Sequence, residues 1–263
     1  TGVQTCALPI FDRDSRGVVR LTICNAGKLN IVSSAVTNGV REGFEHLAAD
    51  HSIRAVILAG ESERSMIGGA DIKEMATLDQ KSAEGFISRL RDLCEAVRKF
   101  PAPVIARLPG WCLGGGLEVA AACDVRVAAH DAMFGMPEVR VGIPSVIHAA
   151  LLPRLIGKAR SVELSLLGER LPAEKALEWG LVNRVYDDAA LMEETMKLAH
   201  DLANGPTIAL SLIRKLYWDS PENTLEDQLN LECESQRIAG RAEDFKEGVT
   251  AFLEKRPAKF KGK

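Results

Sequence analysis

Hydrophobic residues recur along this chain in two alternating spacings. Short β-branched runs read as strands. In Gly17-Val18-Val19-Arg20-Leu21-Thr22-Ile23 apolar and polar positions alternate, whereas Arg54 to Ala59 and Val104-Ile105-Ala106-Arg107 are apolar on both faces. Between them the spacing turns helical. Ser33 or Ser34 caps a predicted helix running to about Ala49. From Gln80 to Lys99, Phe86, Leu90, Leu93, Cys94 and Val97 fall on one helix face and read as core packing. Further helices are predicted over 158–167, closed by Gly168, and over 172–180 with a glycine stop, followed by a short strand at 182–186. From Ala189 onward the pattern is helical, with breaks near Gly205-Pro206 and Ser220-Pro221. The alternations from Gly17 to Val185 repeat as β-β-α units of similar length, a pattern that on its own also allows a doubly wound sheet.

One stretch, Pro103 to Gly142, organises the rest. The strand at 104–107 leads through a Pro109-Gly110 turn to Trp111-Cys112-Leu113-Gly114-Gly115-Gly116-Leu117-Glu118, and Leu117 to Cys123 has the small apolar content of a buried helix. Strand, glycines and buried helix together bring bare backbone N–H groups close to a ligand. Glycine has no Cβ to hold a ligand off, and the first N–H groups of a helix have no internal acceptor. A Walker-type phosphate loop needs Lys and then Ser or Thr after its last glycine, and Leu117-Glu118 stand there, so it is excluded. A dinucleotide fingerprint would need glycine where Val119 stands. Two readings stay open: a tight helix–strand crossing without a ligand, and an oxyanion hole using the N–H of Gly115.

Glu118 is the only charge between Trp111 and Asp124, one turn into an apolar helix. It is either turned outward by the helix phase or buried at a cost of several kcal/mol, which a chemical role would justify. Glu138 follows in Phe134-Gly135-Met136-Pro137-Glu138, and Pro137 suits the first turn of a helix. Two carboxylates beside an oxyanion hole point to proton transfer next to a carbonyl. Taken singly, each is more often a solvated or capping residue.

Composition narrows the remaining classes. The 263 residues are 46% hydrophobic, enough for a sizeable core in one domain. A net charge of −3 with dispersed basic residues argues against a nucleic-acid surface, and no apolar run reaches the ~20 residues of a membrane span. Six cysteines, at 6, 24, 94, 112, 123 and 233, form no CxxC pair and read as reduced core residues of a cytoplasmic protein. No metal site is expected.

The chain resembles the crotonase (enoyl-CoA hydratase/isomerase) superfamily from about Val18 to Lys261. The resemblance rests on Gly69-Ala70-Asp71-Ile72-Lys73-Glu74, on Gly114 to Glu118 with Cys123-Asp124, and on Phe134 to Glu138. It extends through Ala176-Leu177-Glu178-Trp179-Gly180-Leu181-Val182 to Phe252-Leu253-Glu254-Lys255-Arg256. It implies an α/β fold, a spiral of β-β-α units whose strands stack into sheets (11–200). A C-terminal helical region (201–263) would build a homotrimer or dimer of trimers and cover an active site. Residues 1–10 do not read like the family's opening strand and are expected to be non-native or poorly packed. Leu225, Leu229, Ile238, Phe245, Val249 and Phe252 become candidates for interface or core.

The same resemblance implies an enoyl-CoA hydratase. Ala70 and Gly115 would supply the oxyanion hole, and Glu118 and Glu138 the acid–base pair. Lys28, Gly68, Asp71, Ile72, Lys73, Gly114, Phe252 and Lys255 would lie along CoA, although Asp71 is also a plain helix cap and Lys28 and Lys73 plain surface lysines. The implied partner is an acyl-CoA thioester; no separate cofactor is needed, CoA being part of the substrate. The alternatives are a Δ3,Δ2-enoyl-CoA isomerase using Glu138 alone and a non-catalytic binding member. After Glu138 the chain departs from the usual glycine-rich pattern. Val141-Gly142-Ile143-Pro144-Ser145-Val146-Ile147-His148 stands there, with Ser145 in a glycine's place, and the bulkier residues imply a narrowed acyl pocket.

Overall fold

The computed structural model describes residues 9–24, 27 and 29–263. Lys28 and the first eight residues, and with them part of the expectation for residues 1–10, lie outside the described residues. Pro9 is buried, and Ile10 already belongs to a strand, although an exposed one.

Twelve strands and eleven α-helices are found among the described residues. In the first half of the chain the elements are β1 (Ile10–Arg13), β2 (Val18–Ile23), β3 (Ile31–Val32), α1 (Ser34–Ala48), β4 (Ala55–Gly60), β5 (Ser65–Ile67), β6 (Gly69–Ala70), α2 (Ile72–Met75), α3 (Gln80–Arg98), β7 (Val104–Leu108), β8 (Trp111–Leu113), α4 (Gly115–Ala121), β9 (Val125–Ala129) and β10 (Met133–Gly135). A 3₁₀ turn at Pro137–Val141 leads to α5 (His148–Ile156), α6 (Lys158–Leu167), β11 (Arg170–Pro172), α7 (Ala173–Trp179) and β12 (Arg184–Tyr186). Four helices follow: α8 (Leu191–Ala203), α9 (Thr207–Asp219), α10 (Leu225–Ala239) and α11 (Glu243–Leu253).

The expected repeat is visible in how the strands are shared out. β2, β4, β7 and β9 run side by side in a six-stranded sheet ordered β1-β2-β4-β7-β9-β12, parallel except for the β1–β2 hairpin. The short strand after each goes elsewhere: β5, β8 and β10 enter a second sheet ordered β11-β10-β8-β5, and β3 pairs with β6. Each turn of the chain thus adds one long strand to the first sheet and one short strand beside it before a helix closes the unit. This is the α/β spiral, not the doubly wound sheet. β4 is buried at all six positions and β7 at all five, as strands covered on both faces must be.

The local signals explain most helix ends. Ser33 accepts from Val36 N and caps α1. The buried residues of α3 are the predicted five, Phe86, Leu90, Leu93, Cys94 and Val97. Gly168 and Gly180 close α6 and α7 at φ +58° and +81°, where a side chain would be strained. Several expectations need correction. The hydrophobic pattern predicts no strand just before Asp71 or at 111–113, yet β5 and β6 lie before Asp71 and residues 111–113 form β8. These strands are only two or three residues long, too short to show a period. The helix after the glycines begins at Gly115, inside them.

The C-terminal helices are tied to the core by a buried ion pair. Arg214 on α9 donates through Nε to Asp124 Oδ2 at 2.5 Å and through its terminal nitrogens to the carbonyls of Phe100 and Val97. Asp124 Oδ2 also accepts from Val104 N, and Trp218 Nε1 donates to Oδ1. By contrast Leu225, Leu229, Ile238, Phe245, Val249 and Phe252 are all exposed, so none of them is core of this chain. No helix among the described residues is long and apolar enough to cross a membrane. Cys24, Cys94, Cys112 and Cys123 are buried free thiols, and Cys233 is an exposed one. Burial pushes the Cys123 thiol up to about 12, so it stays protonated and unreactive.

Candidate active site

The site begins with a backbone-to-backbone contact. A Cβ on Gly116 would overlap the carbonyl oxygen of Ile67 in β5, so only glycine lets the first turn of α4 lie this close to that strand. Gly114 precedes it at φ +53°, and its N–H donates to Gly135 O at 2.9 Å, which fixes β10 beside the turn. Gly115 opens α4, so its N–H has no acceptor within the helix. On the facing side, β6 ends at Ala70. Asp71 then turns the chain, its N–H donating to Val32 O and its carboxylate accepting from Lys73 N and Glu74 N.

These pieces enclose one cavity of about 320 Å³. Gly68, Gly69 and Ala70 form one wall and Leu113, Gly114, Gly115 and Glu118 another, while Phe86, Ile87 and Leu90 of α3 lie across it. Pro137, Glu138, Arg140, Val141, Ile143, Pro144 and Val146 close a further side, and Ile31, Ile72 and Met75 complete the lining. The walls are mostly apolar, so the few polar groups facing inward act in a medium that strengthens their electrostatics.

Glu118 is buried, 2% exposed, which settles the choice its helix position posed. α4 is buried at every position, so no rotation of that helix could have turned the carboxylate to solvent. The negative charge of Glu118 reaches Cys94 on α3, whose thiol is raised well above its ordinary range chiefly by burial and further by that carboxylate. Glu138 stands on the 3₁₀ turn that Pro137 starts, a tighter element than the predicted helix. It is half-buried, and its Oε2 accepts from Ser145 Oγ at 2.9 Å. Oε1 lies against Gly114, where a Cβ would come within 2.5 Å of it.

The structure therefore gathers Gly68, Ala70, Ile72, Gly114, Gly115, Glu118 and Glu138 around one space. It does not bring Asp71, Lys73, Phe252 or Lys255 into that lining. Lys73, Phe252 and Lys255 are exposed, and Asp71 is occupied as the cap of α2. Sequence reasoning assigned Phe86 and Leu90 to core packing alone, yet both also wall the cavity, a double role that the helix stripe could have signalled. It also missed the Ser145–Glu138 hydrogen bond. Val146, as expected, faces the cavity, whereas Ile147 packs against the core. The side chain of His148 lies outside what is described. Among the described residues no group of three or more His, Cys, Asp or Glu could hold a metal ion.

Residues 13–263 match the family profile described as enoyl-CoA hydratase/isomerase. A probable enoyl-CoA hydratase of Bacillus subtilis (strain 168) is 37% identical over 248 residues, covering 93% of this chain and 95% of that protein. The 1,2-epoxyphenylacetyl-CoA isomerase of Escherichia coli (strain K12) is 36% identical, covering 97% of this chain and 98% of that protein. Among solved structures, an enoyl-CoA hydratase from Bacillus anthracis superposes with a TM-score of 0.92 at 32% identity, covering 97% of this chain and 99% of the other.

The glycine contacts make a graded prediction. At Gly116 an added methyl meets rigid backbone, whereas at Gly115 it meets Leu90 Cδ2 at 3.0 Å, the flexible end of a side chain. Gly116→Ala should cost ~1–3 kcal/mol or more of stability and Gly115→Ala clearly less. Urea unfolding of the two variants checks this, and equal losses would contradict the close approach of α4 to β5.

Proposed function

The chain belongs to the enoyl-CoA hydratase/isomerase family, and on that footing we propose that it adds water across the double bond of 2-trans-enoyl-CoA thioesters. One observation carries this reading: two carboxylates, Glu118 and Glu138, face one apolar cavity beside the Ala70 and Gly115 backbone.

The thioester oxygen sits between the N–H groups of Ala70 and Gly115. As water adds to Cβ, Glu118 takes its proton and the electron pair moves through Cα to that oxygen, giving an enolate. Each backbone donor stabilises the growing charge by about 3–4 kcal/mol, because it is already in place and shielded from water. The enolate collapses as Glu138, which enters the cycle as the neutral acid, delivers its proton to Cα; exchange with solvent then returns Glu118 to the carboxylate and Glu138 to the acid. Gly68, Ile72 and Gly114 line the thioester's approach; Asp71, Lys73, Phe252 and Lys255, outside the lining, would meet only the distal part of CoA. The six exposed apolar residues of the C-terminal helices are covered, on this reading, by sister copies in a trimer or dimer of trimers. An active, stable monomer in light scattering at micromolar concentration would contradict that assembly.

A second reading draws on the isomerase name of the Escherichia coli relative. Glu138 alone could shuttle a proton between carbons of a 3-enoyl-CoA. The two readings part on the glutamates. Glu118→Gln and Glu138→Gln should each lower hydration of crotonyl-CoA by ~10²-fold or more. Loss of all turnover in Glu138→Gln with full activity in Glu118→Gln would instead favour the isomerase.

The lining beyond Glu138 sets the acyl group. Of the bulkier residues that stand in the family's glycine-rich run, Val146 lines this wall, beside Ile143 and Pro144. An acyl methylene without room there costs roughly 1–3 kcal/mol, so crotonyl-CoA should exceed 2-decenoyl-CoA in kcat/KM by about 10-fold or more. A ratio at or below one would show that this wall does not close the pocket.

A further inference from the structure

Ser145 stands where the family pattern has a glycine, and the hydratase mechanism above gives it no role. Yet its hydroxyl meets Glu138: Ser145 Oγ donates to Oε2 at 2.9 Å across seven residues of chain. The backbone between them is built to return. Gly142 adopts φ +79°, its N–H donates to Val139 O at 3.1 Å, and Ile143 N–H donates to Glu138 O at 3.3 Å. The loop thus folds back over the 3₁₀ turn, and a half-buried Ser145 is delivered to the carboxylate. On the other side of the same carboxylate, Oε1 rests against the bare Cα of Gly114.

The terminal torsion of a glutamate is broad and nearly unconstrained when nothing grips the carboxylate. A hydroxyl donating to one oxygen, with a glycine backbone set against the other, fixes the plane of the group. We propose that Ser145 is a positioning residue for Glu138: it locks the carboxylate in the orientation from which a proton passes to or from Cα on one face of the substrate. The inference rests on the hydratase reading and adds to it a reason for the serine.

Because Ser145 acts through Glu138, its loss should impair proton delivery and not binding. In Ser145→Ala, kcat for crotonyl-CoA hydration should fall by about 10-fold while KM moves less than about 2-fold, as expected when a catalytic group loses alignment but stays in place. Run in D2O, the wild type should place deuterium at Cα of the 3-hydroxyacyl product on one face only, read by NMR of the product, and Ser145→Ala should scramble it. Ser145→Thr, which keeps the hydroxyl, should restore both rate and facial selectivity. In the Glu138→Gln background, Ser145→Ala should cause no further loss, since the partner it holds no longer transfers the proton. Ser145→Gly, carrying the residue of the family pattern, repeats the test should the alanine variant fold poorly. Wild-type rate and one-faced deuteration in Ser145→Ala and Ser145→Gly would overturn the positioning role while leaving the hydratase reading intact. So would a loss in the double variant that multiplies the two single losses. A wild-type protein that turns over neither crotonyl-CoA nor a 3-enoyl-CoA would overturn the functional reading, and this inference with it.

Discussion

The contact between the first turn of α4 and the carbonyl of Ile67 is the constraint on which the remaining geometry depends. It sets the second sheet against the helix that carries Glu118, and it exists only because residue 116 has no side chain. β5 continues through Gly68 and Gly69 into Ala70, so fixing β5 against α4 also fixes where Ala70 stands relative to Gly115. The distance between the Ala70 and Gly115 backbones, the two donors of the proposed oxyanion hole on different turns of the spiral, is therefore governed by one missing methyl group. A second approach, Gly114 against Glu138 Oε1, ties the fourth turn of the spiral to the same place.

Burial of Glu118 follows from that packing. A helix pressed between a sheet and α3 has no wet face, and a carboxylate on it must be accommodated by the cavity it lines. Such a position is costly for a group with only a structural role, because a neutral residue of similar shape would pack there without the desolvation of a charge. Glu138 is held in another way, on a short turn and half-exposed, with its orientation set by the Ser145 hydroxyl and the Gly114 backbone. One carboxylate is placed by its helix, the other by a hydrogen bond from a returning loop. That difference suits one group activating a small mobile water and another delivering a proton to a fixed carbon.

Much of this was legible in the sequence where the signal is local. The apolar stripe of α3, the Ser33 and Asp71 caps and the glycine stops at 168 and 180 all depend on residues within one or two turns of each other. The glycine run and the lone acid in an apolar helix are local signals too, and Gly114, Gly115 and Glu118 all line the cavity. What stayed hidden depends on distant partners. β5, β6, β8, β10 and β11 are two or three residues each and exist because a neighbouring strand offers them hydrogen bonds. The opening of α4 at Gly115 defeats propensity, since glycine is a poor helix former that is tolerated here for its small size. Ser145 was visible as a departure from a glycine pattern, but its meeting with Glu138 needs the fold-back at Gly142, which no periodicity encodes.

The residues that the structure leaves out of the cavity lining are informative in the same physical terms. Lys73, Phe252 and Lys255 are exposed, while Ala70, Gly115, Glu118 and Glu138 are gathered around an apolar space of about 320 Å³. A space of that size takes a small reacting group; the long polar remainder of a CoA thioester would have to run outside it, along the surface where those exposed side chains stand. A charged surface residue contributes little to a solvated phosphate, since exposed ion pairs are worth only ~0–1 kcal/mol each. Interactions in the apolar space are screened less, so on the proposed mechanism the backbone donors and the buried Glu118 would have the larger leverage on the reacting atoms. On the proposed mechanism, binding strength can thus be spread over many weak exterior contacts, whereas the rate would rest on a handful of groups around the cavity. On the proposed mechanism, a change as small as loss of the hydroxyl at 145 is therefore expected to outweigh the loss of a whole exposed lysine.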